Sequence, residues 1–337
     1  MGERELENRS GFAEEVIGIL RCISCRGELR QQRDGLVCTH CSRRFPQVKG
    51  VVRFVDAEHY ATSFGFQWQI FRQTQLDNET SRQSEVNFRQ RTGFEPEDLA
   101  GKLVLDVGCG MGRFAEVATR WGARVVCVDL SLAAEVAEEN LKDRQAVCFQ
   151  ADVFNLPFAP GSFDYIYSLG VLHHTPDCER AFKTLPALLK PGGRIAIWLY
   201  SGYNRWYRMS DHYRKLTRRL PPRLLYALCY GVVPLYGMHR VLRKIPLLGR
   251  PASGALAYLL PMPFHANRRW RILDTFDWYS PWYQSKHTFE QVFRWFESCG
   301  LKDLTVIEEP VAVQGRRPLT AELSARREER EIRPCAG

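Results

Sequence analysis

The sequence predicts an α/β fold: a parallel sheet covered by helices on both faces, with a small four-cysteine module near the N-terminus and a mainly helical insertion. Three observations carry this. Short apolar runs alternate with helical segments between residues 101 and 200, a pattern that implies crossover connections and a parallel sheet. Two Cys-x2-Cys pairs stand near the start, twelve residues apart. From about residue 201 the alternation gives way to an aromatic, basic stretch punctuated by Pro221-Pro222, Pro234, Pro261 and Pro263.

Taken in order, residues 1–20 hold Phe12, Val16, Ile17 and Leu20 at helical spacing, so a leading helix is expected. Residues 21–50 carry the paired knuckles Cys22, Cys25, Cys38 and Cys41. Four thiolates so spaced can close a tetrahedron around a structural Zn²⁺ and leave no open position for catalysis. A module this small has little core of its own without the metal. His40 offers an alternative ligand. Residues 51–100 form a linker or cap segment that includes Phe64-Gly65-Phe66-Gln67-Trp68. Leu103–Val107, Val125–Val128, Ala146–Phe149, Tyr165–Leu169 and Ile195–Leu199 read as strands. Gly112–Trp121, Leu132–Leu141 and Glu179–Leu189 read as the helices between them. After the insertion at 201–286, residues 287–315 close the core. Thr288 with Gln291 predicts a capping box, Gly300 a helix stop, and Leu304–Ile307 with Val311–Val313 a last strand pair. Residues 316–337 are charged and poor in apolar side chains, so a disordered tail is expected.

The chemistry concentrates at Leu103-Val104-Leu105-Asp106-Val107-Gly108-Cys109-Gly110-Met111-Gly112, a buried strand running into a glycine turn that opens a helix. Glycines there let a ligand approach the backbone at the carboxyl end of the strand. Arg113 occupies the place of the third glycine of a dinucleotide fingerprint, and no phosphate-gripping Gly-Lys-Ser/Thr is present. A nucleoside with an amino-acid tail suits such a turn. Asp129, seventeen residues past Gly112, ends the next strand and can accept from ribose hydroxyls; Asp152 could receive an adenine amino group.

With Ser168 to Pro176 after the fourth strand and Leu189-Lys190-Pro191-Gly192-Gly193 before the fifth, five motifs stand in order over Leu103–Tyr200. The segment resembles the Rossmann-like class I S-adenosylmethionine-dependent methyltransferases, in particular the bacterial group that includes ubiquinone and menaquinone methyltransferases. The resemblance implies S-adenosylmethionine contacts at Asp106, Gly108, Gly110, Asp129, Leu130, Asp152, Val153 and Ser168. The residues around the knuckles resemble the small zinc-ribbon proteins that partner RNA and protein methyltransferases.

A sulfonium methyl needs a nucleophile held in line with it, and a base only where that nucleophile carries a proton. His173 and His174 follow the fourth strand and are the candidate bases, with Asp277, Tyr279 and His287 as further residues able to reach the site. Between Arg205 and Arg250 stand eleven Lys or Arg and one acid, Asp211, an excess as large as the +9 of the whole chain. That surface calls for an anionic partner: a phosphorylated or lipid-linked substrate, an anionic membrane surface, or nucleic acid. Eleven cysteines and no charged-then-apolar leader point to the cytoplasm, with peripheral attachment to the inner face of the membrane as an option. The favoured activity is methyl transfer to a small-molecule, lipid-linked or glycan-type substrate. An RNA methyltransferase using ribbon and insertion as a clamp, and a cofactor-binding scaffold without turnover, are the alternatives.

Overall fold

A computed structural model describes residues 3–55, 60–79, 81–203 and 208–322. Helix α1 (Glu3–Ile19) leads into an antiparallel meander of β1 (Leu29–Gln32), β2 (Gly35–Cys38), β3 (Arg44–Val48) and β4 (Val51–Arg53). Helices α2 (Thr62–Ile70), α3 (Gln83–Thr92) and α4 (Pro96–Leu99) follow. The alternating segment comprises β5 (Leu103–Val107), α5 (Arg113–Arg120), β6 (Arg124–Asp129), α6 (Ala133–Asn140), β7 (Ala146–Gln150), β8 (Phe163–Leu169), α7 (Cys178–Lys183) and β9 (Leu189–Trp198). The insertion holds α8 (Arg208–Thr217), α9 (Pro222–Cys229), α10 (Val232–Leu242), α11 (Gly249–Leu259) and α12 (Arg268–Tyr279). Helix α13 (Phe289–Ser298), β10 (Lys302–Val306) and β11 (Ala312–Arg316) complete the core.

Among the described residues one sheet of eleven strands runs in the order β1-β2-β3-β4-β7-β6-β5-β8-β9-β11-β10. From β7 through β9 its strands are parallel, and β11 enters antiparallel between β9 and β10. The chain moves outward from β5 to β7, then returns to β8 beside β5. That reversal leaves a crevice at the carboxyl ends of β5 and β8, where ligands of open α/β sheets bind. Strand β5 is buried along its whole length, as a central strand covered on both faces must be.

Three details depart from the sequence-based expectations. The helix expected over Glu179–Leu189 ends at Lys183, because Pro186 cannot donate to a continuing helix and starts a 3-10 turn instead. The Pro191-Gly192-Gly193 turn lies inside β9, which begins at Leu189 and absorbs the extra residues as an irregularity in its pairing with β8. The start of the expected tail lies along the sheet: Arg316 ends β11, and Arg317 exchanges backbone hydrogen bonds with Gly192 and Gly193. Residues 323–337 of that tail are outside the described ones.

The cysteine-bearing meander is not a free satellite. Strand β4 pairs in parallel with β7, Val52 opposite Phe149 and Arg53 opposite Gln150. Leu29, Leu36 and Phe45 share a hydrophobic cluster with Phe54, Phe149 and Phe158, and the Phe45 and Phe54 rings lie 4.8 Å apart. Each such apolar side chain contributes roughly 1.5–3 kcal/mol on burial, and here the main core receives them. Arg26 adds hydrogen bonds of 2.9 and 2.8 Å to the carbonyls of Leu156 and Phe158. The insertion has a separate core, Leu225, Cys229, Val232, Ile272, Leu273 and Phe276 with Phe71, against which Phe66 and Trp68 of α2 pack.

Candidate active site

The glycine turn is shaped by close approach. Gly108, Gly110 and Gly112 have φ of 82°, 55° and 86°, backbone that favours glycine. A Cβ on Gly108 would stand 2.2 Å from Val171, and one on Gly110 3.1 Å from the Trp68 indole. Asp129 at the end of β6 braces the turn: one carboxylate oxygen accepts from the Gly110 amide at 3.0 Å, the other from the Ser131 amide and hydroxyl at 2.8 and 2.7 Å.

Beneath the turn, Asp106 is buried and accepts from the Tyr167 hydroxyl at 3.0 Å. Burial pushes its carboxyl up to about 8, and nearby Asp129 adds to the effect. The Ser168 hydroxyl donates to the Val107 carbonyl at 2.8 Å and ties β8 to the end of β5.

A cavity of about 840 Å³ opens from this turn. The floor is Gly108–Met111 with Asp129, Leu130 and Val153; Phe64, Gln67 and Trp68 of α2 form one wall. The insertion closes the far side with Trp270, Asp274, Asp277 and Trp278, and Trp198 and Tyr200 follow β9. The Tyr200 hydroxyl donates to Asp277 at 2.7 Å. Of the residues singled out in the sequence, Gly108, Gly110, Asp129, Leu130, Val153, His174 and Asp277 line the cavity. Asp106, Asp152, Ser168 and His173 do not line it. Asp152 instead caps a short 3-10 turn through the Phe154 amide. Tyr279 donates to the Pro261 carbonyl and His287 bonds Ser285, both away from the cavity.

The two histidines differ in their surroundings. His173 is wholly buried, stacked on Tyr200 at 4.0 Å, with neither ring nitrogen bonded, and burial holds its pKa well below the usual value. Both belong to the 3-10 turn Leu172–His174 and their rings lie 4.2 Å apart, yet His173 does not line the cavity. His174 does. Its Nδ1 lies 3.0 Å from the Tyr283 carbonyl, which can only accept, so Nδ1 carries the proton. The Nε2 lone pair is left without a partner, and burial lowers the pKa so that the ring stays neutral.

Residues 105–197 match the methyltransferase-domain family model. The alternating core is a class I S-adenosylmethionine-dependent methyltransferase domain. A methyltransferase of Streptomyces halstedii is 42% identical over 106 residues, 29% of this chain and 37% of that protein. The ubiquinone biosynthesis O-methyltransferase of Coxiella burnetii is 37% identical over 113 residues, 33% of this chain and 47% of that protein. A solved S-adenosylmethionine-dependent methyltransferase of Mesorhizobium loti is 30% identical, covering 34% of this chain and 53% of that one with a TM-score of 0.30. The chain thus spans less than half the length of these two curated relatives.

Outside the methyltransferase core, the Sγ atoms of Cys22, Cys25, Cys38 and Cys41 all lie within 4.8 Å of one another. Tetrahedral Zn–S bonds of about 2.3 Å would set sulfurs a little under 4 Å apart. The Cys22–Cys41 and Cys25–Cys38 separations, 3.6 and 3.4 Å, are close to that. Amides of Ser24, His40 and Cys41 point at the knuckle sulfurs, as thiolate charge requires. His40 is exposed and outside the cluster.

Sequence reasoning missed Arg91, Arg113, Trp270 and Asp274 as cavity residues, and gave Phe64 and Trp68 no role there. Arg113 was readable as a departure from the dinucleotide pattern, but nothing in its spacing shows which way its side chain turns.

Proposed function

We propose that the chain transfers the methyl group of S-adenosylmethionine to a small-molecule, lipid-linked or glycan-type acceptor held between the glycine turn and the helical insertion. The continuity of the cavity carries this reading: one space of about 840 Å³ is bounded by Gly108, Gly110 and Asp129 on one side and by Trp270, Asp274 and Asp277 on the other. That volume lies toward the upper end of the roughly 300–1,000 Å³ typical of ligand clefts, and it leaves room for cofactor and acceptor together.

The residues present fit the cofactor. Gly108 and Gly110 keep the backbone bare where a nucleoside must approach, and the Asp129 carboxylate stands at the end of β6 where ribose hydroxyls would meet it. Leu130 and Val153 give an apolar bed for a base. Asp106, Ser168 and Tyr167 hold the turn rigid from below. When bound, S-adenosylmethionine supplies an electrophilic sulfonium methyl. His174 is the candidate base, with Nε2 free to take a proton from an acceptor hydroxyl or ammonium; His173 positions it by packing on Tyr200. The cysteine cluster fits a structural Zn²⁺.

The insertion supports an amphiphilic acceptor. Leu216, Leu228, Val241, Leu247, Leu248, Leu259 and Phe264 are exposed, Leu247 to 96%, beside the exposed Arg219, Arg223, Arg240 and Arg243. Apolar side chains rimmed by cations suit the interface of an anionic lipid layer. Among the described residues no helix is long and apolar enough to cross a membrane.

The deciding experiment follows labelled methyl from S-adenosylmethionine into a fractionated bacterial lysate, wild type against Asp129→Ala. Label in the lipid or small-molecule fraction, lost with the variant, supports the reading; label in RNA overturns the acceptor class, and none anywhere overturns turnover. Neutralising Arg219, Arg223, Arg240 and Arg243 should release the protein from anionic vesicles. Absence of vesicle binding by the wild type refutes the lipid surface.

A further inference from the structure

We infer that the acceptor carries an anionic group, a phosphate, sulfate or carboxylate, and that Arg91 and Arg113 hold it. This rests on the methyl-transfer reading above and names the acceptor's chemistry within it.

Arg113 opens α5 directly behind the glycine turn and is only 8% exposed. Its Nε donates to the Ser84 hydroxyl at 2.8 Å, but its Nη2 is buried without a partner. Arg91, on α3, lines the same cavity and has an unpartnered buried Nε. Aromatic rings occupy the faces of both guanidinium groups: Trp198 lies 3.9 Å from that of Arg91, and Phe114 and Trp270 lie 4.8 and 5.0 Å from that of Arg113. Stacking engages the faces and leaves the N–H edges, the part of an arginine that grips an oxyanion in a two-pronged way.

A purely structural role accounts poorly for this arrangement. Buried Arg113 and half-buried Arg91 share one cavity and repel, and an unpaired buried charge is expensive. Burial and the neighbouring Arg91 push Arg113 down to about 9. Glu309 and Asp274 attract Arg91, and Asp274 and Asp77 attract Arg113, yet among the described residues none of these acids forms an ion pair with either arginine, and Asp77 is paired with Arg120. The Asp274 carboxyl is raised to about 7 by burial and by Asp277, so near neutrality it offsets the guanidinium groups only in part. The bare N–H edges are ones a ligand oxyanion can meet directly. Packing alone would be served better by leucine or methionine, which need no partner.

Cofactor and acceptor both have negative groups, so the test keeps them apart. Binding of S-adenosylhomocysteine is measured by calorimetry for wild type, Arg113→Gln and Arg91→Gln. Inorganic phosphate is then titrated, at constant ionic strength, into each protein already saturated with S-adenosylhomocysteine. We expect saturable phosphate binding by the loaded wild type, weakened about tenfold or more in each variant, with S-adenosylhomocysteine affinity unchanged within about threefold. No saturable phosphate binding by the loaded wild type overturns the inference. So does a matching loss of S-adenosylhomocysteine affinity, which would assign the arginines to the cofactor's own carboxylate. If Arg113→Gln does not fold, Arg91→Gln alone decides. A wild type that fails to bind S-adenosylhomocysteine sinks the methyl-transfer reading itself, a separate outcome.

Discussion

Strand β5 hides every residue from Leu103 to Val107, whereas α10, of twice that length, hides only Val232 and His239. The methyltransferase core and the insertion face one cavity from opposite sides, and their apolar residues serve different ends. In the core, apolar side chains are in register with a sheet and α5 and α6 that cover it. In the insertion many of them point to water, next to arginines that have few acids to pair with. A core built on burial constrains every position; a cap whose outer apolar side chains are exposed tolerates change at them.

That contrast can be broken in four ways. The largest effect belongs to Gly108→Val. With φ of 82° and Val171 2.2 Å from the added Cβ, cofactor affinity should fall by about 100-fold or more, read by calorimetry with S-adenosylhomocysteine. Retained affinity would mean the turn is as permissive as the insertion. Next, stripping metal with a chelator should lower the thermal midpoint by on the order of 10 °C, because the meander is built into the main core and loosening it exposes Leu36 and Phe45. An unchanged midpoint would show either that no metal binds or that the meander stands without one.

A direct pairing comes third. Leu105→Ala should cost about 3 kcal/mol in urea unfolding, and Leu247→Ala should stay within about 0.5 kcal/mol. Equal costs would erase the distinction between the two regions. The smallest effect is in pH. His173 and His174 are held neutral by burial, so their folded pKa values lie below the ordinary value of about 6.5. Below that pH the unfolded chain binds protons the folded one refuses. Stability should therefore fall as pH drops from about 6.5, and His173→Phe should flatten the slope. A slope unchanged by the variant would place the acid-labile groups elsewhere.

How much of this was legible depends on how local each cause is. Leu103–Val107 appears as a strand because five consecutive apolar or buried positions precede a glycine turn, all within ten residues. The Thr288 capping box formed as its spacing predicts, with Thr288 accepting from the Gln291 amide and the Gln291 side chain answering. Arg91, Arg113 and Asp274 share a cavity only because α3, α5 and α12 converge, and no spacing along the chain records that. Nor did the apolar residues around the knuckles announce that they would join the methyltransferase core, since a buried Leu36 reads the same whichever core receives it. That His174 lines the cavity and His173 does not is hidden for the same reason: the two are adjacent, and no spacing says which one reaches it.

The pairing of β4 with β7 has a consequence for the order in which the protein is made. Val52 and Phe149 are almost a hundred residues apart, so the cysteine meander leaves the ribosome well before its partner strand exists. Through that interval β4 is an open edge, with unpaired amides and carbonyls and apolar side chains that have no cover. The four cysteines lie within residues 22–41 and β4 ends at Arg53, so the whole meander is synthesised before β7. The nascent chain would then carry a finished, exposed sheet edge until residues 146–150 arrive, the stage at which it is most open to pairing with another copy of itself.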